Sequence, residues 1–225
     1  RLRSRGLGDV YKRQRPIQIC NAKNVRITGL TLQNGPGWNV HMIYSEQIVT
    51  DHCIFRSEDI WNGDGWDPDS SSGCTIFACT FYTGDDSVAI KSGKNPEGNE
   101  IGRPCSHIRI FDCICAYGHG ITMGSEMSGG IEDVVIWDCD LGNSLYGLEI
   151  KGTKKRGALC LRYLKNASLR IRIFWEDIWV RTGSTSHAGS LSWRVLTKRG
   201  MRSGGLYFAG FVLAARSFKL SRKFL

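Results

Sequence analysis

The pattern that decides the fold of this chain first occurs as Asn24-Val-Arg-Ile-Thr-Gly-Leu-Thr-Leu32. Apolar residues fill its second, fourth, seventh and ninth positions, which is typical of two short strands with one additional residue between them. Four more copies follow at steps of 23, 26, 34 and 26 residues. The same positions in these copies hold Ile48, Thr50, Cys53 and Phe55; Cys74, Ile76, Cys79 and Phe81; Ile108, Ile110, Cys113 and Cys115; and Val134, Ile136, Cys139 and Leu141.

A single copy of this pattern cannot bury its apolar side chains by itself. Copies stacked at the strand spacing of about 4.8 Å would bury them in a common core, so the repeat predicts an all-β chain folded as a parallel solenoid. The additional residue is expected to bend the chain while the four columns stay inside. The longest step contains the polar stretch 92–104, which predicts an insertion at one corner of a coil.

One column of the repeat is filled by cysteine in four consecutive copies, at Cys53, Cys79, Cys113 and Cys139. A reduced cysteine behaves as a small apolar residue, so we interpret this column as an interior ladder of free thiols. The alternative is a set of disulfides, which nine cysteines in a secreted protein would suggest. No cysteine or histidine spacing in the sequence is typical of a zinc site.

The formal net charge of +9 is unevenly distributed. Residues 1–15 carry a net charge of +5, residues 16–157 carry −7, and residues 158–225 carry +11. A basic chain would suggest a nucleic-acid partner, but here the positive charge belongs to the two ends and not to the repeat. We expect no nucleic-acid partner. We expect no membrane partner either, since no run reaches the roughly 18 apolar residues that a membrane helix needs.

The first basic end, residues 1–15, contains a stretch of unusual origin. Asp9-Val-Tyr-Lys-Arg-Gln14 resembles the translation of a sequencing adaptor, so we expect this segment to be adaptor-derived and non-native. The alternative is a natural basic arm. If the segment is non-native, the true N-terminus is missing and the sequence says nothing about a signal peptide.

The repeat fades in the second basic end, residues 158–225. Leu169, Ile171 and Phe174 mimic three of the columns, but Glu176 falls on the fourth. Because this region has thirteen basic and only two acidic residues, we expect it to be largely an out-of-frame translation. The alternative is a divergent basic C-terminal domain. The β-helix is thus expected to be truncated at both ends.

Carboxylates cluster in two glycine-rich stretches, Asn62-Gly-Asp-Gly-Trp-Asp-Pro-Asp69 and Gly84-Asp-Asp86. Continuing the coil alignment past the strands places Asp64 beside Asp86, with Asp85 next to both. Paired carboxylates carry out glycoside hydrolysis, one as a protonated acid and one as an ionised base. Carboxylates this close raise the pKa of at least one member, which would supply the neutral acid.

The coil alignment adds further polar side chains to this cluster. Asp85 shares a column with His119, and Glu149 and Lys151 fall on the next coil, near residues 121–124. Four consecutive coils would therefore present these groups along one ridge. A groove with such a lining suits an extended polymer.

Two other interpretations of the aspartates remain open. Asp-Gly pairs are common in ordinary turns. Asp64, Asp67 and Asp69 resemble a cluster of oxygen ligands for calcium, although their spacing is not that of a helix-flanked calcium loop. We expect no metal and no cofactor.

Taken together, the motifs resemble glycoside hydrolase family 28, the polygalacturonases and related pectin hydrolases, which are right-handed parallel β-helices. Asn62-Gly-Asp64 resembles the family's Asn-Thr-Asp motif, with glycine in place of threonine. Gly84-Asp-Asp86 matches its Gly-Asp-Asp motif, and Gly118-His-Gly120 matches its Gly-His-Gly motif. The resemblance covers about residues 16–157, which we expect to form a β-helical catalytic fragment.

The resemblance implies hydrolysis with inversion at the anomeric centre. Asp85 would be the general acid that protonates the glycosidic oxygen. Asp64 and Asp86 would activate a water molecule on the opposite face of the sugar. His119 would support the acid.

By the same resemblance, Lys151, Glu149 and Asn62 are expected to contact substrate. The family's Arg-Ile-Lys motif, which holds a galacturonate carboxylate, reads Glu149-Ile-Lys151 here. A glutamate repels the carboxylate that an arginine would bind. Galacturonan is the first expected substrate, and rhamnogalacturonan, a substituted pectin or exo-acting specificity remain open.

The expected function is therefore inverting hydrolysis of a pectin-type polysaccharide, with a role in carbohydrate metabolism and cell-wall organisation. One alternative is a β-helix that binds carbohydrate without cleaving it. Another is a pectate-lyase-like enzyme, which would require calcium. The resemblance implies a secreted or periplasmic monomer. If the second basic end is out of frame, the family's later substrate-binding tyrosine is missing and the activity of this chain is open.

Overall fold

The computed structural model describes residues 15–153 and three later strands, at 170–172, 179–184 and 190–196. Residues 1–14 of the expected adaptor segment, and the rest of the second basic end, lie outside the described residues. Within the described part, no helix is both long and apolar enough to cross a membrane.

The described part of the chain consists mainly of short strands. In chain order they are β1 (Ile17–Cys20), β2 (Lys23–Thr28), β3 (Thr31–Gln33), β4 (Val40–Ile43), β5 (Glu46–Asp51), β6 (Ile54–Ser57), β7 (Trp66–Asp69), β8 (Thr75–Phe77), β9 (Thr80–Thr83), β10 (Val88–Ile90), β11 (Cys105–Phe111), β12 (Ile114–Tyr117), β13 (Ile121–Ser125), β14 (Ile131–Trp137), β15 (Tyr146–Thr153), β16 (Arg170–Arg172), β17 (Trp179–Ser184) and β18 (Ser190–Leu196).

These strands form three sheets. The first sheet has the order β1-β4-β7-β10-β13-β15-β18-β17, the second β2-β5-β8-β11-β14-β16, and the third β3-β6-β9-β12. From β1 to β12, successive strands enter the three sheets in turn, and each pairs in parallel with a strand of the neighbouring coil. The chain is an all-β parallel β-helix, as the repeat predicts.

The strand register reproduces the predicted columns. In the second sheet, Ile110 lies between Ile76 and Ile136. In the third sheet, Phe55 lies opposite Phe81, and their rings are stacked with centroids 4.8 Å apart. All five side chains are buried in one continuous core.

The additional residue of each copy bends the chain as expected. It has a positive φ in all five copies: Gly29 at 68°, His52 at 52°, Ala78 at 49°, Asp112 at 49° and Asp138 at 51°. A single residue in the left-handed region turns the chain between the second and third sheets. The columns on either side of the bend therefore both face the core.

Two members of the columns differ from the rest. Leu30 is 43% exposed, although its column is interior elsewhere. It directly precedes β3, which is an edge strand of the third sheet, so the described coils cover it on one side only. Thr50 is polar but fully buried, and its Oγ1 accepts a hydrogen bond of 3.0 Å from the indole N–H of the buried Trp66.

The cysteine column is an interior ladder of free thiols, as predicted. Cys53, Cys79 and Cys113 are each 1% exposed and Cys139 is 9% exposed, and none of the four forms a disulfide. Each Sγ lies 3.2 or 3.3 Å from the backbone carbonyl oxygen two residues before it. The thiols thus fill the core while donating a weak hydrogen bond to the bend.

A second ladder lies on the outer face of the second sheet. The rings of Phe77 and Phe111 are stacked with centroids 5.0 Å apart, and those of Phe111 and Trp137 with centroids 4.3 Å apart. The ladder therefore connects three consecutive coils outside the core.

The polar insertion 92–104 lies between β10 and β11, as expected of a corner loop, and contains the short helix α1 (Glu97–Ile101). After β15, the strand β16 continues the second sheet, with Ile171 opposite Ile136. Strands β17 and β18 then pair antiparallel with each other, and β18 pairs antiparallel with β15. The out-of-frame origin of the second basic end stays a prediction.

Candidate active site

The predicted site residues gather on the first sheet, where β7, β10, β13 and β15 run side by side. Trp66 lies opposite Val88, Val88 lies opposite Ile121, and Ile121 lies opposite Leu148. These four side chains are buried in the core. Polar residues just before and after them consequently form a row across four coils.

Backbone hydrogen bonds fix the carboxylates in this row. The N–H of Gly65, directly after Asp64, donates to the carbonyl oxygen of Asp86 at 3.0 Å. The N–H of His119 donates to the carbonyl oxygen of Asp85 at 2.9 Å. The residues that the coil alignment placed on adjacent coils are therefore adjacent in the structure.

Asp85 is the most accessible carboxylate of the row, with 22% of its side chain exposed. Its Oδ1 lies 2.9 Å from Nδ1 of His119, and its Oδ2 accepts a hydrogen bond of 3.2 Å from the side-chain amide of Asn62. Asp85 is thus held from both sides while remaining open to a substrate.

The imidazole of His119 bridges two carboxylates, because its Nδ1 also lies 3.6 Å from Oδ1 of Asp86. Burial alone would lower the pKa of His119. The hydrogen bonds and negative charges of Asp85 and Asp86 outweigh burial and raise that pKa to about 9. His119 is therefore a cation at neutral pH.

Glycine is required on both sides of His119. Gly118 and Gly120 have φ angles of 109° and 95°. A Cβ at Gly118 would overlap the side chain of Thr83, and one at Gly120 would overlap the carbonyl oxygen of Tyr146. The two glycines let adjacent coils approach closely enough for the histidine to reach the carboxylates.

Asp86 is nearly fully buried but has several polar partners. Its Oδ2 accepts a hydrogen bond of 2.7 Å from Nζ of Lys151, and its Oδ1 accepts one of 2.8 Å from the hydroxyl of Thr122. Burial raises the pKa of Asp86, but the charge of Lys151 and the hydrogen bond from His119 hold it below the ordinary value. Asp86 is the ionised carboxylate of the site.

Asp64 forms a buried carboxyl pair with Asp67. Nζ of Lys91 lies 3.5 Å from Oδ2 of Asp64 and 3.4 Å from Oδ1 of Asp67. Burial and the neighbouring Asp67 raise the pKa of Asp64 well above its usual value, and burial raises that of Asp67 to about 6. The pair differs sharply from Asp86, which is equally buried but ionised.

Two clusters of side chains in the site have the composition of a metal site. In the first cluster, ligand atoms of Asp85, Asp86 and His119 lie within 4.8 Å of one another. The ammonium group of Lys151, however, already neutralises Asp86 at 2.7 Å.

The calcium interpretation of Asp64, Asp67 and Asp69 has a related difficulty. The ammonium group of Lys91 lies between Asp64 and Asp67, in the position that a cation would take. Asp69 accepts a hydrogen bond of 3.0 Å from the N–H of Gly93, and its Oδ2 lies 3.5 Å from Nε2 of His41. The three aspartates thus do not converge on one free position.

The expected substrate-binding residues have varied surroundings. Lys151 contacts Asp86, and the exposed Asn62 contacts Asp85. Glu149 lies opposite Thr122 in the next strand and is only 2% exposed. The structure places Glu149 in the same row as the carboxylates, where it adds a further acidic group.

The sequence did not single out Lys91, Trp38 or Thr122. Nζ of Lys91 lies over the ring of Trp38, 4.3 Å from its centroid. The alignment contained one signal for Lys91. The same 22-residue offset that places Asp64 beside Asp86 places Lys91 beside Asp69, and these two do form a β-bridge.

The site therefore combines one accessible carboxyl group, one buried and ionised carboxylate, and one buried carboxyl pair on adjacent coils. Environments that separate carboxyl groups in this way also separate acid from base. Such an arrangement suits the cleavage of a glycosidic bond by paired carboxylates.

Comparisons with known proteins identify similar sequences and structures. Residues 6–161 match the family described as "Glycosyl hydrolases family 28". A probable polygalacturonase of Vitis vinifera is 37% identical over 187 residues, covering 79% of this chain and 37% of that protein. An endo-polygalacturonase of Pectobacterium parmentieri is 33% identical over 143 residues, covering 62% of this chain and 33% of that protein.

Among solved structures, the crystal structure of a hyperthermoactive exopolygalacturonase from Thermotoga maritima superimposes with a TM-score of 0.61 and 36% sequence identity. The match covers 64% of this chain and 33% of that chain. This chain thus spans about a third of the length of the relatives that it matches.

Proposed function

Because the chain belongs to glycosyl hydrolases family 28, we propose that it hydrolyses glycosidic bonds of a pectin-type polysaccharide, with galacturonan as the first substrate. The single observation that carries this proposal is the contact between the accessible Asp85, the cationic His119 and the ionised Asp86. The proposed unit is a monomer whose partner is the polysaccharide itself.

In this mechanism, Asp85 receives a proton from Nδ1 of His119, 2.9 Å away, and gives it to the glycosidic oxygen as the bond breaks. Asp86, with Asp64 beside it, takes a proton from the water molecule that attacks the anomeric carbon from the opposite face. The proton gained by the base must return to Asp85 before the next turnover. Nδ1 of His119 contacts both Asp85 and Asp86 and is placed to pass it.

Two residues bear on the choice between galacturonan and other pectins. Lys151 is the cation nearest to Asp86 and offers a single ammonium group to a sugar carboxylate. Glu149 on the same strand opposes a second carboxylate. A backbone of alternating acidic and neutral sugars, as in rhamnogalacturonan, would avoid this repulsion and is the second candidate substrate.

The test is the release of reducing ends from polygalacturonate and from rhamnogalacturonan by the chain and by Asp85→Asn. We expect the variant to lose roughly 10²- to 10⁴-fold in rate, the usual contribution of a general acid. Equal rates in both proteins would remove Asp85 from the mechanism.

Two further measurements separate the alternative functions. An unsaturated, ultraviolet-absorbing product that disappears with EDTA would identify a lyase instead of a hydrolase. Binding of the polysaccharide without cleavage, unaffected by the Asp85 substitution, would identify a carbohydrate-binding β-helix.

A further inference from the structure

Lys91 is a buried lysine that the proposed mechanism does not use. It follows β10 directly, its N–H donates to the carbonyl oxygen of Pro68 at 2.8 Å, and its own carbonyl accepts the N–H of Ser70 at 3.0 Å. The residue is 5% exposed. The two backbone bonds tie Lys91 to β7 and to the residue after it; β7 contains Asp67, and Asp64 lies two residues before the strand.

The environment of its ammonium group is unusual. Oδ2 of Asp64 lies 3.5 Å away, Oδ1 of Asp67 lies 3.4 Å away, and the ring centroid of Trp38 lies 4.3 Å away. A buried ammonium group is unfavourable unless it is paired. Here two carboxyl groups and an aromatic face pair it from several sides.

The carboxyl pair depends on Lys91 in turn. Oδ1 of Asp64 and both carboxylate oxygens of Asp67 are buried, and within the described residues no hydrogen bond reaches them from outside the carboxyl pair itself. Asp86, by contrast, receives hydrogen bonds from Thr122 and Lys151. The charge of Lys91 is therefore the main compensation for negative charge on the pair.

We propose that Lys91 is a positioning residue for Asp64, one of the two carboxylates assigned to water activation, and for its buried partner Asp67. Its buried ammonium group is the internal cation that allows the Asp64–Asp67 pair to carry negative charge. This inference rests on the proposed function for its catalytic meaning, but the charge relationship itself exists without substrate.

Other charged groups surround the pair and Lys91, and any measured titration includes them. They are His41 on β4, Asp69 on β7, Asp85 and Asp86 before β10, Glu126 after β13, and Lys151 on β15. Most are acidic, so they disfavour ionisation of the pair. This makes the dependence on Lys91 stronger.

The test follows the side-chain carboxyl carbons of aspartate by NMR as the pH of the full 225-residue chain is changed, with Asp64→Asn and Asp67→Asn used for assignment. Lys91→Met should move the titration of the pair to higher pH by roughly 1–3 units, the usual effect of one adjacent opposite charge. Lys91→Arg keeps the charge and should restore the titration. A folded Lys91→Met protein whose pair titrates as in the unaltered chain would overturn the proposal.

A second measurement covers the case in which Lys91→Met does not fold. In the unaltered chain, the ¹⁵N resonance of the Lys91 ammonium group should shift with the same midpoint as the carboxyl carbons of Asp64 and Asp67. A ¹⁵N resonance that does not respond to that titration overturns the proposal equally.

The titration needs no substrate, so its result is independent of the proposed function. A chain that cleaves no pectin but shows the Lys91-dependent titration keeps this inference and removes the proposed function. A chain that is active, with a pair that titrates independently of Lys91, does the reverse. If the chain is active, the acidic limb of its pH–rate profile should also move to higher pH in Lys91→Met and not in Lys91→Arg.

Discussion

Nδ1 of His119 lies 2.9 Å from Oδ1 of Asp85, across the interface between two coils of the β-helix. The two glycines on either side of His119 allow the close approach of the coils, and Asp85 lies just before β10. One contact thus joins the packing of the solenoid to the ionisation of the site, and it makes the stability of the fold depend on pH.

The first prediction concerns that pH dependence. The pKa of His119 is raised from 6.5 to about 9 in the folded chain. A raised pKa stabilises the folded state fully below the unfolded value of 6.5, and this stabilisation is lost as the pH rises through about 9. The melting temperature of the unaltered chain should therefore exceed that of His119→Gln most at low pH, and the difference should shrink towards pH 9. A difference that does not vary with pH would contradict the ion pair.

The second prediction concerns substrate choice at Glu149. Glu149→Arg recreates a guanidinium beside Lys151, and a charged hydrogen bond contributes about 1.5–3 kcal/mol. We expect KM for polygalacturonate to fall by roughly tenfold or more, since each 1.4 kcal/mol corresponds to a factor of ten. Glu149→Gln is the matched control, because it removes the negative charge without adding the N–H donors of a guanidinium group. It should produce a smaller gain. If Glu149→Arg weakens polygalacturonate binding while the protein stays folded, Glu149 serves to bind a substrate other than galacturonan.

The third prediction concerns the polar member of the core columns. Thr50→Val keeps the shape of the side chain but leaves the indole N–H of Trp66 without its acceptor. An unsatisfied buried donor lowers the free energy of unfolding by about 1–3 kcal/mol, which urea denaturation can measure. Thr31→Val, at an exposed position on β3, is the control and should change stability little. Equal effects of the two substitutions would show that the hydrogen bond is not responsible.

The fourth prediction concerns the thiols. Cys20 is exposed, whereas the four cysteines of the ladder are buried. In the native protein, an alkylating reagent should therefore modify Cys20 quickly and the ladder only after denaturation, as mass spectrometry of the peptides will show. A peptide pair linked by a disulfide between two ladder positions would contradict the reduced column.

The repeat predicted those parts of the fold that depend on apolar columns. Columns such as Ile76, Ile110 and Ile136 can be aligned because a stacked coil places equivalent residues at one spacing, so the register follows from sequence alone. The same alignment brought the carboxylates together. The alignment could not indicate that the ammonium group of Lys91 contacts Asp64 and Asp67, because the direction of a long side chain depends on its rotamer. Lys91 was not predicted for that reason.

Other differences have equally local causes. Leu30 fits the apolar column, but it directly precedes the edge strand β3, so its side chain is partly exposed. The apolar pattern is the same in edge and central strands and therefore does not predict this exposure. The substrate contact of Asn62 stays a prediction, but its hydrogen bond to Asp85 could not be predicted from the alignment. The alignment gives the coil on which a side chain lies, but the partner within hydrogen-bond distance depends on rotamers that only coordinates define.

The aromatic ladder of Phe77, Phe111 and Trp137 has a consequence for how the molecule comes apart. Coils of a solenoid contact only their neighbours, so such proteins can fray one coil at a time from either end. Rings stacked across three coils add an energy that is lost as soon as one coil detaches. These three coils should therefore unfold as one cooperative block, and that block contains Asp85, His119 and Lys91.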